Sequence, residues 1–153
     1  MIEDLGEFLA HAVQLEAKAA EGYRILADKM SAQGNAEVAA LFAKLGEFSQ
    51  LHLAETQARY RALVGDFSPL AGDRFCWPDH HSPENPAALE MPGILDSRDA
   101  IQLALSLERE ACDFYSSVAN RTRSAELQEL AQTFAEEESE HVSHLQRWLS
   151  RSE

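Results

Sequence analysis

The chain has only two cysteines, Cys76 and Cys112, and no CxxC pair. That excludes a zinc ribbon or an iron–sulfur ligand set and fits a reducing compartment. Basic residues are also scarce. Thirteen Lys and Arg stand against 26 Asp and Glu, a net charge of −13. Nucleic acid and anionic membrane both call for a basic surface, so neither is an expected partner. An acidic field of this size attracts cations, but weakly and without choosing among them. There is no run of about eighteen apolar residues to span a bilayer. "MIEDLGEFLA" has neither the basic region nor the apolar stretch of a signal peptide. A cytoplasmic location is the expectation. Proline is missing over most of the chain, all five falling between Pro69 and Pro92.

What is present is helix-forming sequence. The 153 residues, 45% hydrophobic and 25% charged, suit one domain, 1–153, with a sizeable core. Outside the proline window, Ala, Leu, Glu, Gln and Arg dominate. The pattern predicts helices at about 2–32, 35–64, 98–121 and 125–150. Gly34 and Asn35 punctuate the first pair; Asp96 or Ser97, and then Ser124, can cap the third and fourth helices. The short turns make each pair an antiparallel hairpin. The middle connection, about 65–96, is too long for a turn. Some thirty extended residues reach roughly 100 Å, whereas a helix of that length spans about 45 Å. The expected fold is therefore all-α: a four-helix bundle with one long crossover, the ferritin-like connectivity. Phe75, Trp77 and the prolines would let that crossover pack on the bundle.

The two hairpins resemble each other. "LEAKAAEGYRILA" at 15–27 parallels "LEREACDFYSSVA" at 107–119, 92 positions later. Helices 2 and 4 then correspond by order and by their histidines.

A bundle core repeats in steps of three and four. In the first helix the stripe reads Leu5, Leu9, Ala12, Glu16, Ala19, Tyr23, Leu26, Met30. In the third it reads Ile101, Ala104, Glu108, Ala111 or Cys112, Tyr115, Val118. The second gives Val38, Leu41, Leu45, Phe48 or Ser49, His52, then Glu55 or Thr56. The fourth gives Leu127, Ala131, Phe134, Glu138, His141, Leu145, Trp148. Five ionisable groups, Glu16, His52, Glu108, Glu138 and His141, thus interrupt apolar stripes near mid-helix. Buried charges are costly unless paired or metal-bound. Converging carboxylates without a cation have to take up protons. Glu138 and His141, at i and i+3, reach the same side of their helix.

Other candidates read as structural. Glu136, Glu137 and Glu140 lie off the stripe, on a face expected to be solvated. His11 and His144 read as surface or helix-end histidines. Cys76, His80 and His81 match no closed metal site, and Cys112 reads as core filling.

These motifs resemble the ferritin-like carboxylate-bridged dimetal proteins, and specifically their rubrerythrin-like branch. That site takes a Glu from each of two helices and a Glu-x-x-His from each of the other two. Glu16 and Glu108 match the single glutamates, and "EESEH" supplies Glu138 and His141. The resemblance covers all four helices. It implies terminal ligands Glu16 and Glu108, a bridging Glu138, histidine ligands His52 and His141, and Tyr23 and Tyr115 as tyrosines bonded to ligands. It also implies a non-haem oxidoreductase or iron-handling protein with one or two ions, iron above all, and zinc or manganese as alternatives. An external electron donor and a homodimer are expected partners. The sequence departs from the pattern at "SQLH", where Ser49 stands in place of the second motif's glutamate. Glu55, one turn past His52, is a further candidate, with Ser49 itself. Leu105 and Ala111 occupy the positions where peroxidase rubrerythrins carry one more glutamate. A rubrerythrin-type peroxidase is therefore not the expectation. A non-catalytic metal-binding or structural bundle with a decayed site is the competing one.

Overall fold

The computed structural model of the chain describes residues 2, 4–65 and 96–151. It is a four-helix bundle: α1 Leu5–Ala32, α2 Ala36–Leu63, α3 Ser97–Arg121 and α4 Ala125–Arg151. The crossover, with Phe75, Cys76, Trp77, His80 and His81, lies outside the described residues apart from its end residues, Gly65 and Asp96.

Each helix begins where a side chain can cap it. Asp4 accepts from the Gly6 N–H, so α1 starts at Leu5 rather than at residue 2. Asn35 accepts from Val38 N–H and Asp96 from Arg98 N–H. The Ser124 Oγ accepts from Leu127 N–H at 3.2 Å. The α1–α2 turn closes with two bonds typical of a helix C-terminus, Asn35 N–H to Met30 O and Gly34 N–H to Ser31 O. This turn holds Gly34 at φ 80°, a conformation that favours glycine.

α1 lies along α2, and α3 along α4, as two hairpins. The caps keep the register of the internal duplication. Asp4 and Asp96 are 92 positions apart, while Asn35 and Ser124 are 89 apart. The difference arises because α3, at 25 residues, is three shorter than the 28 of α1.

The hairpins are docked with opposed directions. Tyr115 reaches Glu16, and Tyr23 reaches Glu108. As the α1 number rises, its α3 partner falls, so α1 and α3 run antiparallel. α2 and α3 therefore point the same way, and Leu63 and Ser97 sit at opposite ends of the bundle.

Two apolar clusters fill the interior. One gathers Leu26, Met30, Leu41, Phe42, Ile101 and Leu145. The other gathers Phe8, Leu15, Tyr115, Leu127, Ala131 and Phe134. Between them, at mid-height on all four helices, lies a belt of buried polar side chains.

Candidate metal centre

The stripe register holds through the belt. Glu16, Glu108 and Glu138 are 1%, 0% and 2% exposed, and His52 is 9% exposed. His141 is half-buried. On α2 the structure resolves both alternatives: Ser49 and Thr56 face inward, whereas Phe48 and Glu55 are exposed. On α3 Ala111 takes the core position, and Cys112 is half-buried beside it, with burial raising its thiol pKa.

Five side chains form two overlapping ligand sets. Glu16, His52 and Glu138 present ligand atoms within 4.8 Å of one another, as do Glu108, Glu138 and His141. Glu138 belongs to both. Each histidine turns its Nδ1 inward. His52 Nδ1 is 2.9 Å from Glu16 Oε1. His141 Nδ1 is 3.4 Å from Glu108 Oε2 and 3.5 Å from Glu138 Oε2. Aromatic rings fix both imidazoles. Phe134 meets His52 edge-on at 4.5 Å, and Phe48 lies 5.9 Å from the His141 ring.

The two tyrosines bond reciprocally across the hairpins. Tyr23 of the first hairpin donates to Glu108 of the second. Tyr115 of the second donates to Glu16 Oε1 of the first, at 3.3 Å. At Glu108 the phenol takes Oε1 and leaves Oε2 toward His141, whereas at Glu16 the phenol and His52 Nδ1 share Oε1. Gly46 allows this packing, because a Cβ there would stand 3.3 Å from the Tyr23 Cβ.

Electrostatics fit an interior built for a cation. Burial pushes Glu108 up, but the neighbouring Glu138, His141 and Tyr23, with the charge of His141, hold it below the ordinary carboxylate value. Burial works against charge on His52, yet Glu16, Glu137 and Glu55 raise its pKa. Burial likewise opposes charge on His141, and Glu108 raises it. Without a cation, protons must therefore balance the carboxylates. Even so, Glu16 Oε2, Glu108 Oε2, His52 Nε2 and His141 Nδ1 are buried without a hydrogen-bond partner. Buried polar atoms almost always have a partner; His52 Nε2 lies beside Glu137, and the other three together point to a missing one. Oxygen and imidazole donors of this kind suit iron, manganese or zinc.

Three sequence expectations need correction. Glu137 is not on a solvated face. It is half-buried, with Oε2 3.0 Å from His52 Nε2. Position 137 falls at the edge of the α4 stripe, where the gap between α4 and α2 turns it toward His52. His11 is not a surface residue. It is 3% exposed, 2.8 Å from the Glu7 carbonyl and stacked on Phe114 of α3, because α1 buries a second flank against the other hairpin. Glu55 is exposed and outside both ligand sets, although its charge acts on His52. Glu136 and Glu140 are exposed as expected, and His144 stays outside the cluster.

A cleft of about 660 Å³ opens between α2 and α4 and has His52 and His141 in its wall. Phe48 and Leu51 make its apolar part; Glu55, Glu137 and Glu140, and Lys44, His144 and Arg147, supply its charges. The cleft gives the belt a route to solvent. No described helix is long and apolar enough to cross a membrane.

No family model and no curated protein matches the chain. A hypothetical protein from Pyrococcus furiosus shares the fold, with a TM-score of 0.67 and 24% identity over 96% of this chain and 89% of its own. A crystal structure described as an uncharacterized conserved protein from Magnetospirillum magnetotacticum MS-1 matches with a TM-score of 0.78. At 34% identity over 97% of this chain and 95% of that one, the chain belongs to the same conserved protein family as the Magnetospirillum protein.

Proposed function

We propose that the chain is a ferritin-like, rubrerythrin-like dimetal protein that binds iron and works in iron handling or in dioxygen or peroxide redox chemistry. The observation that supports this best is the position of Glu138, a single buried carboxylate common to two three-residue ligand sets. That is the arrangement of a bridging ligand. In this reading Glu16 and His52 would hold one ion and Glu108 and His141 the other, with Glu138 available to both. Bound iron would supply a redox couple able to pass electrons to oxygen or peroxide.

The protein's own part is to shape and dry the site. Tyr23 and Tyr115 fix the terminal carboxylates through their hydroxyls and keep a proton at each. Phe134 and Phe48 hold the imidazole planes. The apolar clusters above and below exclude water, and small reactants enter by the α2–α4 cleft. Electrons come from a separate donor.

Metal analysis of natively purified protein tests this reading. The expected stoichiometry approaches two, and Glu138→Ala abolishes it. Stoichiometry near zero in both proteins would sink the proposal. Ser49 favours a second reading, a metal-binding module without turnover, since one half-site lacks the carboxylate of a full motif. Aerobic Fe(II) oxidation and peroxide consumption with an external reductant separate the two. Turnover above that of free iron supports the enzyme, and stoichiometric binding alone supports the module.

A further inference from the structure

The duplication relates α2 to α4 by 89 positions, and it makes the two halves of the belt comparable residue by residue. His52 corresponds to His141, Ser49 to Glu138, and Phe48 to Glu137. The contacts follow the same pairing. Phe48 on α2 covers the ring of His141 on α4. Glu137 on α4 covers His52 on α2, with Oε2 3.0 Å from Nε2. Both histidines meet an aromatic ring, Phe134 at His52 and Phe48 at His141, and His52 has a carboxylate from the opposite helix besides. The histidine that receives the carboxylate is the one whose own helix has lost its glutamate.

Resting on the dimetal reading above, we infer that Glu137 is a positioning residue for the His52 half-site, replacing from the opposite helix the negative charge missing at Ser49. His52 offers Nδ1 to the ligand set, 2.9 Å from Glu16, so Nε2 points away from it and toward Glu137. A carboxylate behind the far nitrogen of a ligating histidine keeps the proton there, fixes the ring and makes the near nitrogen a stronger donor. His52 Nε2 is buried and has no hydrogen bond as the side chains stand, so its N–H needs this partner. Glu137 is close enough to provide it with a small rotation, and its side chain, 44% exposed, has room to turn. Charge counting agrees. Glu16, Glu108 and Glu138 leave two divalent ions one charge short of neutrality, and Glu137 makes up the difference.

The test is a stepwise Co(II) and Zn(II) titration of the full chain and its variants. Glu137→Ala is expected to weaken the second, weaker binding step tenfold or more and to leave the first within twofold. Glu137→Asp is expected to recover part of the loss. Ser49→Glu combined with Glu137→Ala should restore the second step, which a merely structural role for Glu137 would not permit. In Co(II)-loaded protein in water, the paramagnetically shifted Nε2–H resonance of His52 should broaden or vanish in Glu137→Ala, while that of His141 persists. Unchanged affinities with both resonances intact would overturn this inference and leave the dimetal reading standing. Failure of the unmutated protein to bind either metal would overturn both.

Discussion

The two halves of the belt begin from the same plan and end differently. Around His141, the glutamate is on the same helix three residues back, and an aromatic ring lies against the imidazole. Around His52, the position three back is Ser49, buried and neutral, and a carboxylate from the opposite helix stands against the imidazole. Both halves share Glu138, and both have a tyrosine-bonded terminal glutamate. The likeness of the two hairpins thus sets where ligands could stand, while single side chains would decide how strongly each half could hold an ion. The prediction is two unequal sites, with the His141 half the tighter.

The most severe way to break the comparison is to remove what the halves share. Glu138→Leu should take metal stoichiometry from two to zero. It should also lower the melting temperature of the metal-free protein, because removing one member of a buried charged cluster leaves His141 and Glu108 short of a partner, at a cost of about 3–5 kcal/mol. Metal analysis and thermal melts in chelator check both. Retention of one ion would show that the halves do not depend on a common ligand.

Repairing the weaker half is the next test. Ser49→Glu restores the Glu-x-x-His spacing on α2 and should tighten the weaker of two titration steps about tenfold, roughly 1.4 kcal/mol. An affinity gap that survives this change would place the asymmetry elsewhere.

Acidity should act on both halves together. His52 and His141 have raised pKa values, so the stability they give the metal-free fold is present below about 6.5, their ordinary value. It is lost as pH rises through the raised values. Glu108 has a lowered pKa, so its contribution is present above 4.5 and lost as pH falls through its depressed value. The metal-free protein should be most stable between these ordinary values. Metal must displace the histidine protons, so the melting-temperature gain on adding metal should grow above that window and shrink within it. A gain independent of pH from 5 to 8 would contradict histidine ligation. The phenols should act on the stability of the fold rather than on the gap between the halves. Tyr23→Phe and Tyr115→Phe each remove one hydrogen bond to a carboxylate, worth about 1–3 kcal/mol.

Much of this was legible in the sequence because helices are local and periodic. Caps at Asn35, Asp96 and Ser124 could be read from residue type, and the three-and-four spacing put Glu16, Glu108 and Glu138 inside. Glu137 and His11 were missed for a common reason. Both lie beside a stripe, and burial there depends on how far apart two helices sit, which no single helix encodes. The α2–α4 gap admits Glu137, and docking of Phe114 covers His11. A comparison of α2 with α4 position by position would have flagged Glu137, since its counterpart is an aromatic residue.

The crossed tyrosines have one more consequence. Each hairpin lends its hydroxyl to the other's glutamate, so neither hairpin alone can present an ordered ligand set. The same pair of bonds would form between two copies of a single hairpin around a twofold axis. The belt thus lies on a pseudo-twofold axis between the two hairpins. A chelator should then loosen the seam between the hairpins before it loosens either hairpin. Hydrogen exchange would show this as faster exchange at mid-helix in α1 and α3 while the turn at Gly34 stays protected.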